Sequence, residues 1–371
     1  GMQRPYYIKS QGIMDGTYIR VAGTTRHAER YRVQELIMEG TNRSFDQMER
    51  EQTVSEAEIA AFCEKMYQHA LELAETDTAR EQIQRAGKNQ LLSWKLLVEH
   101  GGAYHPTNGY LLLNGDTAEF PDAAIQCAVF KGTVRNIFIT RKEFTGAIYE
   151  QIEDAYNFVL QHIDLGSRIE GIARQDYYEL PVKTIREMIS NVVCHRSYLT
   201  LGKIQVALFD DRLEVTSPGM LDREITIEKM KSGLSKIRNR GIAAAFSYMN
   251  ILEAWGCGIS EMFREAKEYG LPEPELIDMG SDFRINFYRK KAVIDQNSII
   301  EPKECDTNEG VVLHILQTDP QVTQKDIGKL LGVSLATVKR LMNSLQKDGK
   351  LQRRGSNRSG SWIVVNRLSE S

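Results

Sequence analysis

The chain predicts an α+β fold, on three observations. Between residues 103 and 294, short apolar runs of strand length alternate with longer stretches of helical period, which gives a sheet covered by helices on one face. After Val311 the order becomes helix, helix, helix, hairpin. Between the two, residues 295–308 hold few apolar side chains beyond Ile299 and Ile300 and include Pro302, Lys303 and Glu304, so they read as a linker. The expected organisation is therefore a small α/β N-terminal segment over 1–50, a helical connector over 51–102, an α/β sandwich over 103–294, the linker, and a C-terminal domain over 309–371.

The elements follow in order. Strands are expected at 6–9 and 17–21 around a turn at Met14-Asp15-Gly16, with a helix starting near His27. Residues 54–74 and 89–99 carry apolar side chains at helical spacing and are expected to bridge domains; the second stretch ends at Gly101-Gly102. The middle sheet is read at 110–113, 124–130, 204–209, 213–216 and 283–288, and helices at 145–162, 181–195, 242–249 and 259–269.

An apolar content of 42% with 26% charged residues is ordinary for a globular chain and excludes the disordered class. No apolar signal core, transit-peptide composition or membrane-length apolar run occurs, so no membrane partner is expected. Gly1 ahead of Met2 reads as a tag remnant. Cys63, Cys127, Cys194, Cys257 and Cys305 are odd in number and lack zinc or disulfide spacing, which fits a reducing cytoplasm. Charge is unevenly spread: from Asn308 onward ten Lys/Arg face five Asp/Glu, whereas the remainder has 37 against 45. A basic C-terminal piece on an acidic body suits a nucleic-acid partner.

The chemistry concentrates in the stretch REMISNVVCHRSY, Arg186 to Tyr198. Residues four apart lie on one helical face, so Glu187, Asn191 and His195 form a stripe. A carboxylate can orient a water or take its proton, and an amide oxygen one turn on can complete the oxygen shell of a magnesium ion that otherwise holds phosphates and waters. The plainer reading is a solvated face of a helix whose Ile185, Met188, Ile189 and Val192 meet the core, with His195-Arg196 suiting the helix C-terminus. A strand pair ending at Ser217-Pro218-Gly219 follows, and Trp255-Gly256-Cys257-Gly258-Ile259 opens a later helix.

Glu187-x-x-x-Asn191 ahead of that strand pair resembles the N box of the GHKL ATPases. More closely, the chain is similar to a divergent branch found in bacterial regulators that join a Schlafen AlbA-like domain, a GHKL-like domain and a C-terminal helix-turn-helix. GTYIRVAGTTRHA, Gly16 to Ala28, resembles the closing strand and final helix of the first of these, so 1–50 reads as its remnant. The resemblance implies an ATP and magnesium pocket holding Glu187, Asn191, His195, Ser217, Gly219, Gly256 and Gly258, with Asn191 on the metal. It also implies a lid over Gly233 to Asn239 whose Lys236 and Arg238 face phosphate. One departure stands out: Ser217 occupies the place where hydrolysing members carry an Asp that accepts a hydrogen bond from the adenine amine, and a hydroxyl lacks the charge assistance of a carboxylate.

In the C-terminal piece, Thr323 and Ser334 are placed to cap the second and third helices, the latter ending at Gly349, and Gly332-Val333-Ser334 is a helix-turn-helix turn. Val338, Leu341 and Leu345 hold the third helix to a core, leaving Ser334, Thr337, Lys339, Arg340 and Asn343 toward a groove; Arg353, Arg354 and Arg358 sit on a basic hairpin. This resembles a winged helix of bacterial transcription factors, which implies double-stranded DNA as partner and a homodimer on a palindrome; protein contact is the alternative use. The leading expectation is a cytoplasmic DNA-binding transcriptional regulator with a nucleotide-binding middle domain. The alternatives are a magnesium-dependent ATPase acting on nucleic acid, with Glu187 as base, and an adaptor with a degenerate nucleotide site. No G-x-x-x-x-G-K-[ST] string occurs, which excludes a P-loop motor.

Overall fold

The computed structural model describes residues 5–21, 23–116, 118–170, 173–222, 225–252, 258–290, 312–313, 316, 323–324, 327–328, 333–354 and 361–364. The expected linker lies outside them. The chain divides into two compact units, Gly1–Lys291 and Ala292–Ser371.

The first unit begins with a hairpin of β1 (Tyr18–Val21) and β2 (Thr24–His27), then helix α1 (Arg30–Gly40). This corrects the expected start: His27 ends a strand, Tyr7 makes an isolated bridge to Thr17, Lys9 opens a 3-10 turn, and Met14-Asp15 belong to a single helical turn. Ile19, Ala28, Val33 and Leu36 bury themselves with Met220 of the middle region, so this segment has a small core that is shared with the site described below.

Helix α2 (Glu56–Leu73) opens with a complete capping box, Ser55 and Glu58 each bonding the other's backbone N–H. Helix α3 (Lys88–Ser93) and the hairpin β3 (Leu97–His100) and β4 (Ala103–Pro106) follow. Rather than bridging separate bodies, Ile59, Phe62, Met66 and Leu91 lie in the same apolar cluster as the sheet. Tyr110 to Leu113 are helical, in α4 (Asn108–Asn114), not a strand. All four are nearly inaccessible, so the run has no exposed face and its period could not separate helix from strand.

Strands β5 (Ile125–Lys131) and β6 (Ile137–Phe144) form a hairpin, helix α5 (Ile148–Leu160) follows, and β7 (Leu165–Glu170) and β8 (Ala173–Tyr178) make a separate two-stranded ribbon. Helix α6 (Val182–His195) leads into β9 (Ile204–Leu208) and β10 (Arg212–Pro218). Helices α7 (Arg240–Tyr248) and α8 (Gly258–Glu268) precede β11 (Glu275–Asp278) and β12 (Asp282–Tyr288). The six-stranded sheet runs β11-β12-β10-β9-β5-β6, antiparallel except where β5 lies parallel to β9. Cys127, Val129, Val206, Leu208, Leu213, Val215, Ile285 and Phe287 alternate onto one face and pack under α5 and α6. Helix α6 presents Ile185, Met188, Ile189, Val192 and Val193 to them, a spacing of three and four, each burial stabilising by about 1.5–3 kcal/mol.

In the second unit, Val312, Leu313 and Leu316 are helical, and α9 (Leu335–Lys347) is followed by the hairpin β13 (Leu351–Arg354) and β14 (Ser361–Val364). Ser334 caps α9 by accepting from the Thr337 N–H. Val338, Met342, Leu345, Leu351 and Trp362 form its core with Val312, Leu316 and Ile327, and Leu341 packs at its margin.

Candidate functional site

One cavity of about 750 Å³ in the first unit gathers Glu187, Asn191, His195, Ser217, Gly219, Lys236, Arg238 and Gly258. Helix α6 explains the first three: with its apolar face fixed in the core, the stripe at 187, 191 and 195 is turned half-buried into the cavity. The Asn191 Nδ2 donates to Glu187 Oε1 at 2.9 Å, so the amide oxygen is left as the acceptor that a cation or a ligand N–H would meet. Glu187 packs against the start of α8, where a Cβ on Gly258 would collide with its carboxylate and displace it.

His195 is held as neutral imidazole at pH 7. Burial pushes its pKa down to about 4, aided by the Arg238 guanidinium and opposed by a hydrogen bond with the Lys236 backbone. Behind it, burial pushes the Cys194 thiol up, which keeps that cysteine protonated.

The loop before α7 is a helix cap. Helix α6 ends with carbonyls that have no partner within the helix. Asn239 Nδ2 donates to those of Cys194 at 2.8 Å and Arg196 at 2.9 Å, and Arg238 Nη1 to that of His195 at 2.9 Å, while Arg238 Nη2 reaches Met220 O at 2.6 Å. The guanidinium expected to face phosphate is therefore spent on two backbone carbonyls. Lys236 pairs with Asp222 at 2.9 Å. Ser217 likewise turns inward: its Oγ donates to Val192 O at 3.1 Å, and the residue is 4% exposed. Gly219 takes φ +113°, and a Cβ there would collide with Arg238 Nη1 and meet the Ser197 Cβ at 2.8 Å.

Sequence reasoning missed the contribution of the N-terminal segment. Glu35, Met38, Glu39, Arg43, Ser44 and Phe45 line the same cavity. Ser197 Oγ donates to Glu35, whose other oxygen holds Arg32 at 2.6 Å, a pair almost wholly buried. Asp46, 0% exposed, accepts from the N–H groups of Gly241 at 2.6 Å and Ile242 at 2.9 Å, capping α7 from 195 residues away. Nothing local in the sequence signals such a partner.

In the second unit Ser334, Lys339, Arg340 and Asn343 are exposed on one side of α9 and Thr337 is half-buried. The Arg353 guanidinium lies 4.7 Å from the centre of the Trp362 ring. Arg354 is placed by its backbone in β13. Gly256 and Arg358 fall outside the described residues.

A mixed sheet under helices, with a cavity at the helix side, followed by a helix-and-hairpin unit, is an ATPase-like domain joined to a winged helix. Residues 202–287 match the family described as putative ATP-dependent DNA helicase recG C-terminal, and residues 306–352 match winged helix-turn-helix DNA-binding. The chain thus carries a domain of each kind. The first match begins after α6, so Glu187 and Asn191 lie ahead of it. The crystal structure of the DIP2311 protein from Corynebacterium diphtheriae is similar with a TM-score of 0.53 at 17% identity, covering 94% of this chain and 70% of that one, a likeness of fold. No protein of curated function matches the chain. Among the described residues no helix is long and apolar enough to cross a membrane, and no group of three His, Cys, Asp or Glu is arranged to hold a metal.

Proposed function

We propose that this protein is a DNA-binding transcriptional regulator of the cytoplasm, acting as a homodimer, whose first unit binds a nucleotide. The observation that carries the nucleotide reading is the convergence of the α6 stripe, Gly219, Gly258 and Lys236 on one cavity. Magnesium, if it accompanies the nucleotide, fits only as an ion held mainly by phosphates and waters: Asn191 Oδ1 is one ligand of the right hardness, and among the described residues no ready-made carboxylate cage accompanies it. Bound there, it would neutralise phosphate charge. This chain's residues then have separate tasks, Glu187 orienting Asn191 while itself lying against the α8 N-terminus.

The DNA reading rests on Ser334, Lys339, Arg340 and Asn343, exposed on α9, which with the half-buried Thr337 are assigned to base edges; the sequence assigns Arg353, Arg354 and Arg358 to phosphates. Duplex binding followed by fluorescence anisotropy tests it. Charge reversal at Arg353, Arg354 and Arg358 is expected to weaken binding at least tenfold and to flatten the salt dependence by about one unit of slope for each phosphate that is no longer neutralised. Unchanged affinity and slope would remove DNA contact from the hairpin. For the nucleotide, magnesium-ATP at a hundred times its Kd stabilises by about 2.7 kcal/mol in thermal denaturation, an effect expected to vanish in Asn191→Ala.

A second reading, an adaptor that has lost its ligand, draws on the inward turn of Ser217 and the commitment of Arg238. Absence of any nucleotide-dependent stabilisation would favour it.

A further inference from the structure

We propose that Trp362 is a positioning residue for DNA binding: its indole holds the Arg353 guanidinium flat against the hairpin of the second unit and presents the donors at the guanidinium edge to a backbone phosphate. The assignment rests on the DNA reading above and deepens it, because it gives one of the three hairpin arginines a fixed place and names the side chain that fixes it.

The register of the hairpin makes the pair. Arg353 in β13 lies directly opposite Trp362 in β14, and Leu351 lies opposite Val364. Residues directly opposite share one face of a ladder, as do residues two apart along a strand. Leu351 and Trp362 are buried in one core with Val338, Met342 and Leu345 of α9, whereas Gln352, between Leu351 and Arg353, is exposed. Arg353 therefore stands on the face of the hairpin that packs against α9, at the margin of that core, and is half-buried there. Its Cζ lies 4.7 Å from the centre of the Trp362 ring.

Tryptophan offers a cation the most favourable aromatic face, and stacking occupies only the flat side of the guanidinium. The N–H donors lie in its plane and point outward, where they match the oxygens of a phosphate. An arginine on a solvated hairpin loses its rotamer freedom when it meets a phosphate. Stacked on Trp362, it has lost much of that freedom already on folding, so binding retains more of the electrostatic gain. The surroundings select an anion: from Leu351 to Trp362 the chain holds three arginines and no acidic residue.

The test measures binding of a mixed-sequence DNA duplex to the full chain by fluorescence anisotropy over a series of salt concentrations. Arg353→Gln is expected to weaken binding roughly fivefold and to flatten the salt slope by about one unit. Arg353→Lys keeps the charge and Trp362 but lacks the planar face, so the slope should stay at the parent's while affinity falls about two- to fivefold. Trp362→Leu should cause a loss of that size in the parent and none when added to Arg353→Gln, whereas a purely structural part for Trp362 would weaken both backgrounds alike. Trp362→Phe, which retains an aromatic face, should recover most of the loss. Arg353→Lys leaves the core in place, so its result does not depend on the folding of a Trp362 variant. Parent-like binding by Arg353→Lys, or equal losses from Trp362→Leu in the two backgrounds, overturns this assignment while leaving the DNA reading intact. Absence of salt-sensitive duplex binding by the parent overturns both.

Discussion

Replacing Asp46 with Ala removes the cap of a helix 195 residues downstream, and the structure sets the scale of the loss. Its carboxylate accepts from the Gly241 and Ile242 N–H groups, and the start of α7 is packed so closely that a Cβ on Gly241 would meet Leu96 at 2.9 Å and the Trp94 carbonyl at 3.0 Å. Water therefore reaches those N–H groups only through the space vacated by the side chain. Two buried donors left without partners cost about 1–3 kcal/mol each, and the relief of a buried carboxylate offsets part of that, since burial holds Asp46 above the usual aspartate range. A net loss of about 2–3 kcal/mol is expected for Asp46→Ala, and about 1 kcal/mol for Asp46→Asn, which retains an acceptor oxygen. The assay is urea unfolding followed by tryptophan fluorescence, with the N-terminal unit's Trp94 beside the cap. The pH dependence has a definite sign. A folded carboxyl pKa raised above its unfolded value contributes stability that is complete below the unfolded pKa and is lost as pH rises through the folded one. The deficit of Asp46→Asn relative to the parent therefore narrows as pH rises. Unfolding of Asp46→Ala at the parent's urea concentration, or a larger loss for Asn than for Ala, would refute the reasoning.

His195 gives the opposite pH signature. Its folded pKa of about 4 lies below the ordinary 6.5, so its contribution is present above pH 6.5 and is lost as pH falls toward 4; His195→Gln should flatten the parent's decline in stability over that window, measured by denaturation at a series of pH values. Gly219→Ala imposes a Cβ on a left-handed backbone already touching Arg238 and Ser197, and a loss of about 2–4 kcal/mol in urea midpoint and slope is expected, with no loss indicating that the turn simply rearranges. Gly258→Ala should displace the Glu187 carboxylate instead of unfolding the chain, so its melting point should stay near the parent's while magnesium-ATP stabilisation falls.

The parts of this structure that were legible in the sequence are those whose cause is local. Helix α6 announces itself by apolar side chains at three and four spacing, β9, β10 and β12 by their alternation, and α9 by Ser334 at its cap. The stripe at 187, 191 and 195 followed from the same period, and the cavity does contain it. Illegible were elements whose cause is tertiary. Tyr110 to Leu113, buried all round, has no polar face to reveal its period. Strand β6 is an edge whose Ile137, Phe138 and Ile139 are all more than half exposed, so it shows no alternation. Asn239, directly ahead of α7, turns its amide backward to finish α6, and Asp46 does the capping of α7. That exchange is invisible without the fold, and it is also what brings the N-terminal segment to the site.

The same exchange bears on how phosphate would be met. The resemblance implies a lid over 233–239 that swings Lys236 and Arg238 onto the ligand, but Arg238 and Asn239 terminate α6. Moving Arg238 strips the carbonyls of His195 and Met220 of guanidinium hydrogen bonds at 2.9 and 2.6 Å, each worth about 1.5–3 kcal/mol. An opening that costs on the order of 3–6 kcal/mol leaves the released loop at below about 1% of molecules, and a ligand would forfeit that much affinity to recruit it. Lys236 is differently placed: its partner Asp222 sits at the cavity wall, both side chains retain solvent contact, and such partly exposed pairs contribute about 0–1 kcal/mol. Of the two cations, Lys236 is the one a phosphate can capture cheaply, and Arg238 acts by holding the end of α6, and with it His195, in place.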